Sequence, residues 1–202
     1  MRIKRQPRSA NHRRLLRTEL ARAARPETVK GRVCGPNCTI RCPRCGSSGC
    51  QCKCTPSCPH APHALSDDPD LHPVEPAIVG LVFEMKRLGV FTPCWSCEGH
   101  LNADGSLWKL PRLWFYCDSP LHVRLLVTGL SGLRHAGRLS ASWQLVVTYS
   151  DPDNPETTFS LEPVAAPDKP LDLLSLQGDL AEIGRSLHAI VSEAARNCCI
   201  SR

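Results

Sequence analysis

The chain has 202 residues, a formal charge of +6, thirteen cysteines and ten aromatic side chains, a size that makes one domain plus an appendage. No stretch approaches the roughly 18 consecutive apolar residues of a membrane span, and the N-terminus lacks the apolar core of a secretory signal, so the expectation is a soluble protein that is neither membrane-embedded nor exported. Cysteines in that setting bind metal more often than they pair as disulfides, and nineteen Arg against six Lys, with abundant Ala and Pro, point to a bacterial cytoplasm.

Residues 1–33 hold eleven Lys and Arg against Glu19 and Glu27, a net +9 that leaves the rest of the chain at −3. With no aromatic and few large apolar residues they are expected to form a disordered or conditionally helical arm. Leu15, Leu16, Leu20 and Ala23 lie near one helical side, so an organellar transit peptide is the alternative reading. Lys and Arg without aromatics grip phosphates but do not stack bases, which makes RNA or DNA the expected partner of this arm, without specific base reading.

Residues 34–58 contain Cys34, Cys38, Cys42, Cys45, Cys50, Cys52, Cys54 and Cys58, with Ile40 as the one strongly apolar side chain. Burying Ile40 returns about 1.5–3 kcal/mol, far less than ordering twenty-five residues at about 1–2 kcal/mol each. A tetrathiolate zinc centre supplies about 10–16 kcal/mol, and eight thiolates suffice for two such centres. Cys42-Pro43-Arg44-Cys45-Gly46 reads as a zinc knuckle. Cys38, Cys42 and Cys45 also match the spacing of a radical S-adenosylmethionine iron–sulfur site, although the downstream chain is too short for the barrel those enzymes use. His60 and His63 fall in residues 59–73, a Pro-rich linker.

Residues 74–197 should carry the folded body. Glu75-Pro76 starts a helix with Ile78, Leu81, Val82 and Met85 at helical spacing, and Gly89 stops it. A strand through Val90 and Phe91 follows, then a turn over Asn102–Ser106 and a second strand over Leu113–Tyr116. Ser119-Pro120 caps a helix bearing Leu121, Leu125, Leu126 and Leu133. Trp143, Leu145, Val147 and Tyr149 alternate as a third strand buried mainly on one face. Asp151-Pro152-Asp153-Asn154-Pro155 and Glu156 make a turn rather than a cation site, and Thr158–Val164 is the fourth strand. Leu173, Leu176, Leu180, Ile183, Leu187, Ile190 and Ala194 step by three and four along a last helix; Cys198 and Cys199 fall in a tail, 198–202. The expected fold is a two-layer α+β domain with a four-stranded, mostly antiparallel sheet and three helices, preceded by the small Cys-rich metal module.

Cys94-Trp95-Ser96-Cys97-Glu98-Gly99-His100, at the mouth of the first strand, is the candidate site. Read as metal ligands, Cys94, Cys97 and His100 need Gly99 to turn the chain, and Cys117 at the end of the next strand completes a Cys3His set. Read as an enzyme, Cys97 is a nucleophile or redox thiol, His100 its base and Glu98 an orienter or proton carrier. A third reading leaves both thiols half-buried and His100 solvated.

Met85-Lys86-Arg87-Leu88-Gly89-Val90-Phe91-Thr92, Ser96–His100 and Leu113-Trp114-Phe115 together resemble a pattern in small uncharacterised bacterial and phage proteins. More distantly the segment is similar to the Phe-Thr…Ser-Cys-Ser-Gly-Arg stretch of the tRNA wybutosine-synthesis methyltransferase family, which methylates a modified guanine using S-adenosylmethionine. That resemblance covers about thirty residues. It implies a ligand-binding turn around Ser96, Cys97 and Gly99, with S-adenosylmethionine as cofactor. His100 stands where that family has Arg, Glu98 replaces Ser, and an extra residue precedes Ser96. The sequence therefore supports a zinc-binding protein with a binding or regulatory role and nucleic-acid association, or alternatively an enzyme acting on RNA or another ligand at the Ser96–His100 turn, by thiol–imidazole chemistry or methyl transfer.

Overall fold

A computed structural model describes residues 9–24, 74–148, 157–165 and 170–200, the side chains of 199 and 200 excepted. The eight-cysteine cluster, His60, His63, Tyr149, Asp151, Asp153 and Glu156 lie outside the described residues. The elements are helix α1 (Ala10–Ala24), helix α2 (Pro76–Arg87), strands β1 (Phe91–Cys97), β2 (His100–Leu101), β3 (Leu107–Lys109) and β4 (Arg112–Cys117), helix α3 (Pro120–His135), strands β5 (Ser142–Thr148) and β6 (Thr158–Val164), and helix α4 (Leu173–Ile200). Among the described residues no helix is long and apolar enough to cross a membrane.

Local chemistry sets the element boundaries. Pro76 opens α2, and Gly89 at φ +65° closes it with its amide on the Lys86 carbonyl, since the left-handed conformation costs glycine least. Ser119 caps α3 by accepting the Leu121 amide, ahead of Pro120. The fold is α+β: a four-stranded antiparallel sheet of order β1-β4-β6-β5 with helices packed on the face that carries Leu113, Phe115 and Leu161. Those three side chains are fully buried, together with Ile78, Leu81, Met85, Leu126, Ile183 and Leu187 from the helices. β2 and β3 form a separate small hairpin beyond the end of β1.

α4 runs on through Cys198, which packs against the core, to Ile200, where a tail was expected from 198, and two further features differ from the expectation. β5 is an edge strand, and burial falls along it from Trp143 through Leu145 to Val147, which is 53% exposed; alternation in sequence did not reveal how far the helices cover it. The basic arm contains a fourth helix, α1, docked by its C-terminal half. Leu20 and Ala23 are buried there against the core. The Ser192 hydroxyl donates to the Ala23 carbonyl, Arg22 bonds the Gly89 carbonyl and Asp118, and Glu19 meets His122. Two apolar contacts would not hold a helix by themselves; these polar anchors, distant in sequence, complete the attachment.

Candidate functional site

The site forms where the start of α2 meets the end of β1. Cys97 is the last residue of β1 and His100 the first of β2. Between them Gly99 turns the chain at φ +86°, with Leu173, Pro111 and the Lys109 carbonyl packed closely around its α-carbon. Glu75 immediately precedes α2, and its carboxylate makes no cap bond to that helix. One oxygen of it accepts the Glu98 amide at 2.6 Å and the other lies 2.9 Å from His100 Nε2. Glu98 supplies the missing cap in return, its carboxylate accepting the Ala77 amide at 2.7 Å, and its carbonyl accepts from Gln177 of α4 at 3.3 Å. The Glu75 carboxylate thus binds the turn at the Glu98 amide and the Glu98 carboxylate binds the helix start at the Ala77 amide, and the Cys97–His100 loop is held by both.

The result is one constellation: Glu75, Cys97 and His100 present a carboxylate oxygen, Sγ and a ring nitrogen that all lie within 4.8 Å of one another. The thiol is buried, whereas the His100 and Glu75 side chains keep 38% and 30% of their surface in solvent, so the cluster has a closed sulfur side and an open side. Burial pushes the Cys97 thiol up from its ordinary pKa; the Gly99 amide and the Lys109 charge act the other way, and the carboxylates of Glu75 and Glu98 reinforce the rise. On the open side the Trp108 ring lies 6.3 Å from His100, with the Lys109 ammonium 4.2 Å from the centre of that ring.

The structure brings Cys97 and His100 together and leaves their proposed companions elsewhere. Cys117 pairs with Phe91, at the opposite end of β1 from Cys97, about 20 Å away at 3.3 Å per residue. Antiparallel pairing puts the end of β4 against the start of β1, so Cys117 does not complete a Cys3His set with Cys97 and His100. Its thiol donates to the Ser119 carbonyl, and burial raises its pKa to about 11. Cys94 is exposed at the register shift between Pro93 and Trp95 and is not among the side chains that converge on Cys97 and His100. Ser96 sits in the ladder opposite Leu113. Glu98 is occupied as a helix cap, and the position of carboxylate partner to His100 falls to Glu75. In the sequence Glu75 reads only as the start of a helix. A glutamate in a place that usually holds Ser, Thr, Asp or Asn is a faint sign of a second duty, and its meeting with Cys97 depends on tertiary packing.

In chemical terms the three groups can coordinate a metal ion or form a thiol–imidazole–carboxylate row. No family model matches this chain, and no curated protein and no solved structure matches it.

Proposed function

We propose that this is a zinc-binding protein whose folded body holds one ion at Glu75, Cys97 and His100, with a fourth coordination position open to water or a ligand oxygen. The observation that carries the reading is the mutual approach of the three donor atoms within 4.8 Å. Thiolate, imidazole and carboxylate are a zinc donor set, since sulfur and imidazole favour this borderline-soft ion over Mg²⁺ or Ca²⁺. Three protein ligands with solvent on the open side match centres that exchange their fourth ligand; purely structural zinc sites close the tetrahedron with four. A bound cation would also deprotonate the buried Cys97 thiol. Glu98 and Gln177 would then act on the ligands indirectly, by fixing Glu75 and the turn. The function proposed is zinc-dependent binding or activation of a small oxygen ligand, with the eight cysteines of residues 34–58 as a separate module for two further ions.

Zinc content of the full-length protein tests this. Cys97→Ser and His100→Ala should each lower it by about one equivalent per chain, while Cys94→Ser and Cys117→Ser leave it unchanged. Cobalt substitution should give tetrahedral absorption that weakens in the first pair and not in the second. Equal metal content in all four variants, with their folds intact, would sink the proposal.

A further inference from the structure

The docking of α1 is confined to one half of the helix. From Leu16 onward it offers Leu16, Glu19, Leu20, Ala23 and Ala24 to the body, whereas residues 10–15 are exposed on every side, Leu15 to 61%. This free half begins at a proper cap, the Ser9 hydroxyl accepting the His12 amide at 3.1 Å, and so stands as an ordered overhang. Arg13 and Arg14 lie on it and Arg17 on the turn where it meets the body, all three exposed and within one arc of about 100° at 3.6 residues per turn. Among the described residues no carboxylate pairs with them; the acid of this helix, Glu19, is engaged with Arg22 and His122.

We propose that the overhanging half of α1 is a docking helix for double-stranded DNA, seated in the major groove with Arg13, Arg14 and Arg17 on the phosphates. An unaccompanied cationic stripe fits a polyanion. The major groove of B-form DNA, about 12 Å wide, admits an α-helix, whereas that of A-form RNA is too narrow. α1 has no aromatic side chain on which unpaired bases could stack, which disfavours single strands. Leu15 is its one exposed large apolar residue, too little for insertion into a lipid surface. α1 is fastened to α4 far from the Glu75–Cys97–His100 cluster. Gln177, which meets the Cys97–His100 loop, and Ser192, which meets the docked end of α1, are fifteen residues apart on α4, about 22 Å along the helix axis, so variants at the Glu75–Cys97–His100 cluster and at the arginines test the two proposals separately.

Fluorescence anisotropy of a short labelled DNA duplex with full-length protein tests the proposal. Replacing Arg13, Arg14 and Arg17 together by Gln should weaken binding about tenfold or more and lower the slope of log affinity against log salt by up to about 2.7. Replacement by Lys should retain most of the binding. A control that removes the same charge through Lys86→Gln, Arg112→Gln and Arg185→Gln should bind like the parent. Failure of the parent to bind the duplex, an unaffected Gln triple variant, or an equal loss in the control would overturn the assignment. So would tighter binding to duplex RNA, to single strands or to phosphatidylserine vesicles than to duplex DNA.

Discussion

Gly99 is where backbone conformation and close packing coincide. A side chain there meets Leu173 Cδ1 at 2.6 Å, Pro111 Cδ at 3.0 Å and the Lys109 carbonyl at 3.1 Å, all from a φ of +86°. Gly105, at φ +82°, has nothing within 4 Å of the same virtual atom. Gly105→Ala should therefore cost only the left-handed strain, about 1–2 kcal/mol. Gly99→Ala should cost at least ~1 kcal/mol more by overpacking and should also lower zinc content, because the turn sets the separation of Cys97 and His100. Chemical denaturation of the two variants with a parallel metal assay gives both comparisons. That the turn needed Gly99 was legible from strand parity, since residues three apart cannot converge without one. Glu75 was not legible, because nothing in the twenty-one residues between it and Cys97 announces that the start of a helix will return to the end of a strand.

At the scale of elements, the attachment of α1 to α3 contains a titratable joint. His122 is fully buried, its Nε2 lies 3.3 Å from both the Glu19 carbonyl and the Glu19 carboxylate, and its Nδ1 has no partner among the described residues. Burial holds its pKa below the ordinary histidine value; the Glu19 carbonyl, the Glu19 charge and Asp118 oppose that shift, and Arg22 reinforces it. The unfolded chain therefore takes up a proton that the folded one refuses. Stability from this group is complete above about pH 6.5 and is lost as pH falls from there through the lower folded value. Urea melts at a series of pH values should show that loss, and His122→Phe, which cannot titrate, should flatten it. An equally steep acid loss in the variant would clear His122 of the effect. α2, α3 and α4 could be read from leucine spacing, because each buries an apolar stripe. The docking of α1 could not, because its buried apolar contact is small, Leu20 and Ala23, and its other fastenings are polar contacts to Asp118, His122 and Ser192.

For the whole molecule, one buried carboxylate ties the helical layer to the outer edge of the sheet. Asp179 of α4 accepts from the Ser140 amide and hydroxyl, the Ala141 amide and the Trp143 indole. Asp179→Ala would strand the buried Ala141 amide and Trp143 indole beneath α4 and should cost about 2–4 kcal/mol, read as a fall in the midpoint of a denaturant melt; a change under ~1 kcal/mol would show that water replaces the carboxylate. The sheet order β1-β4-β6-β5 was only half visible in sequence. Hydrophobic alternation locates strands, but it carries no record of which strand lies beside which, and the fate of Cys117 turned on that pairing. The bond from Ser192 to the Ala23 carbonyl has a consequence in time, since it joins residues 169 positions apart. On a ribosome adding about 5–20 residues per second, α1 emerges roughly ten to thirty seconds before the helix that receives it. Throughout that interval the newborn chain carries the Leu20 and Ala23 side of α1 without the helix that later buries it, while Arg13, Arg14 and Arg17 are exposed before and after.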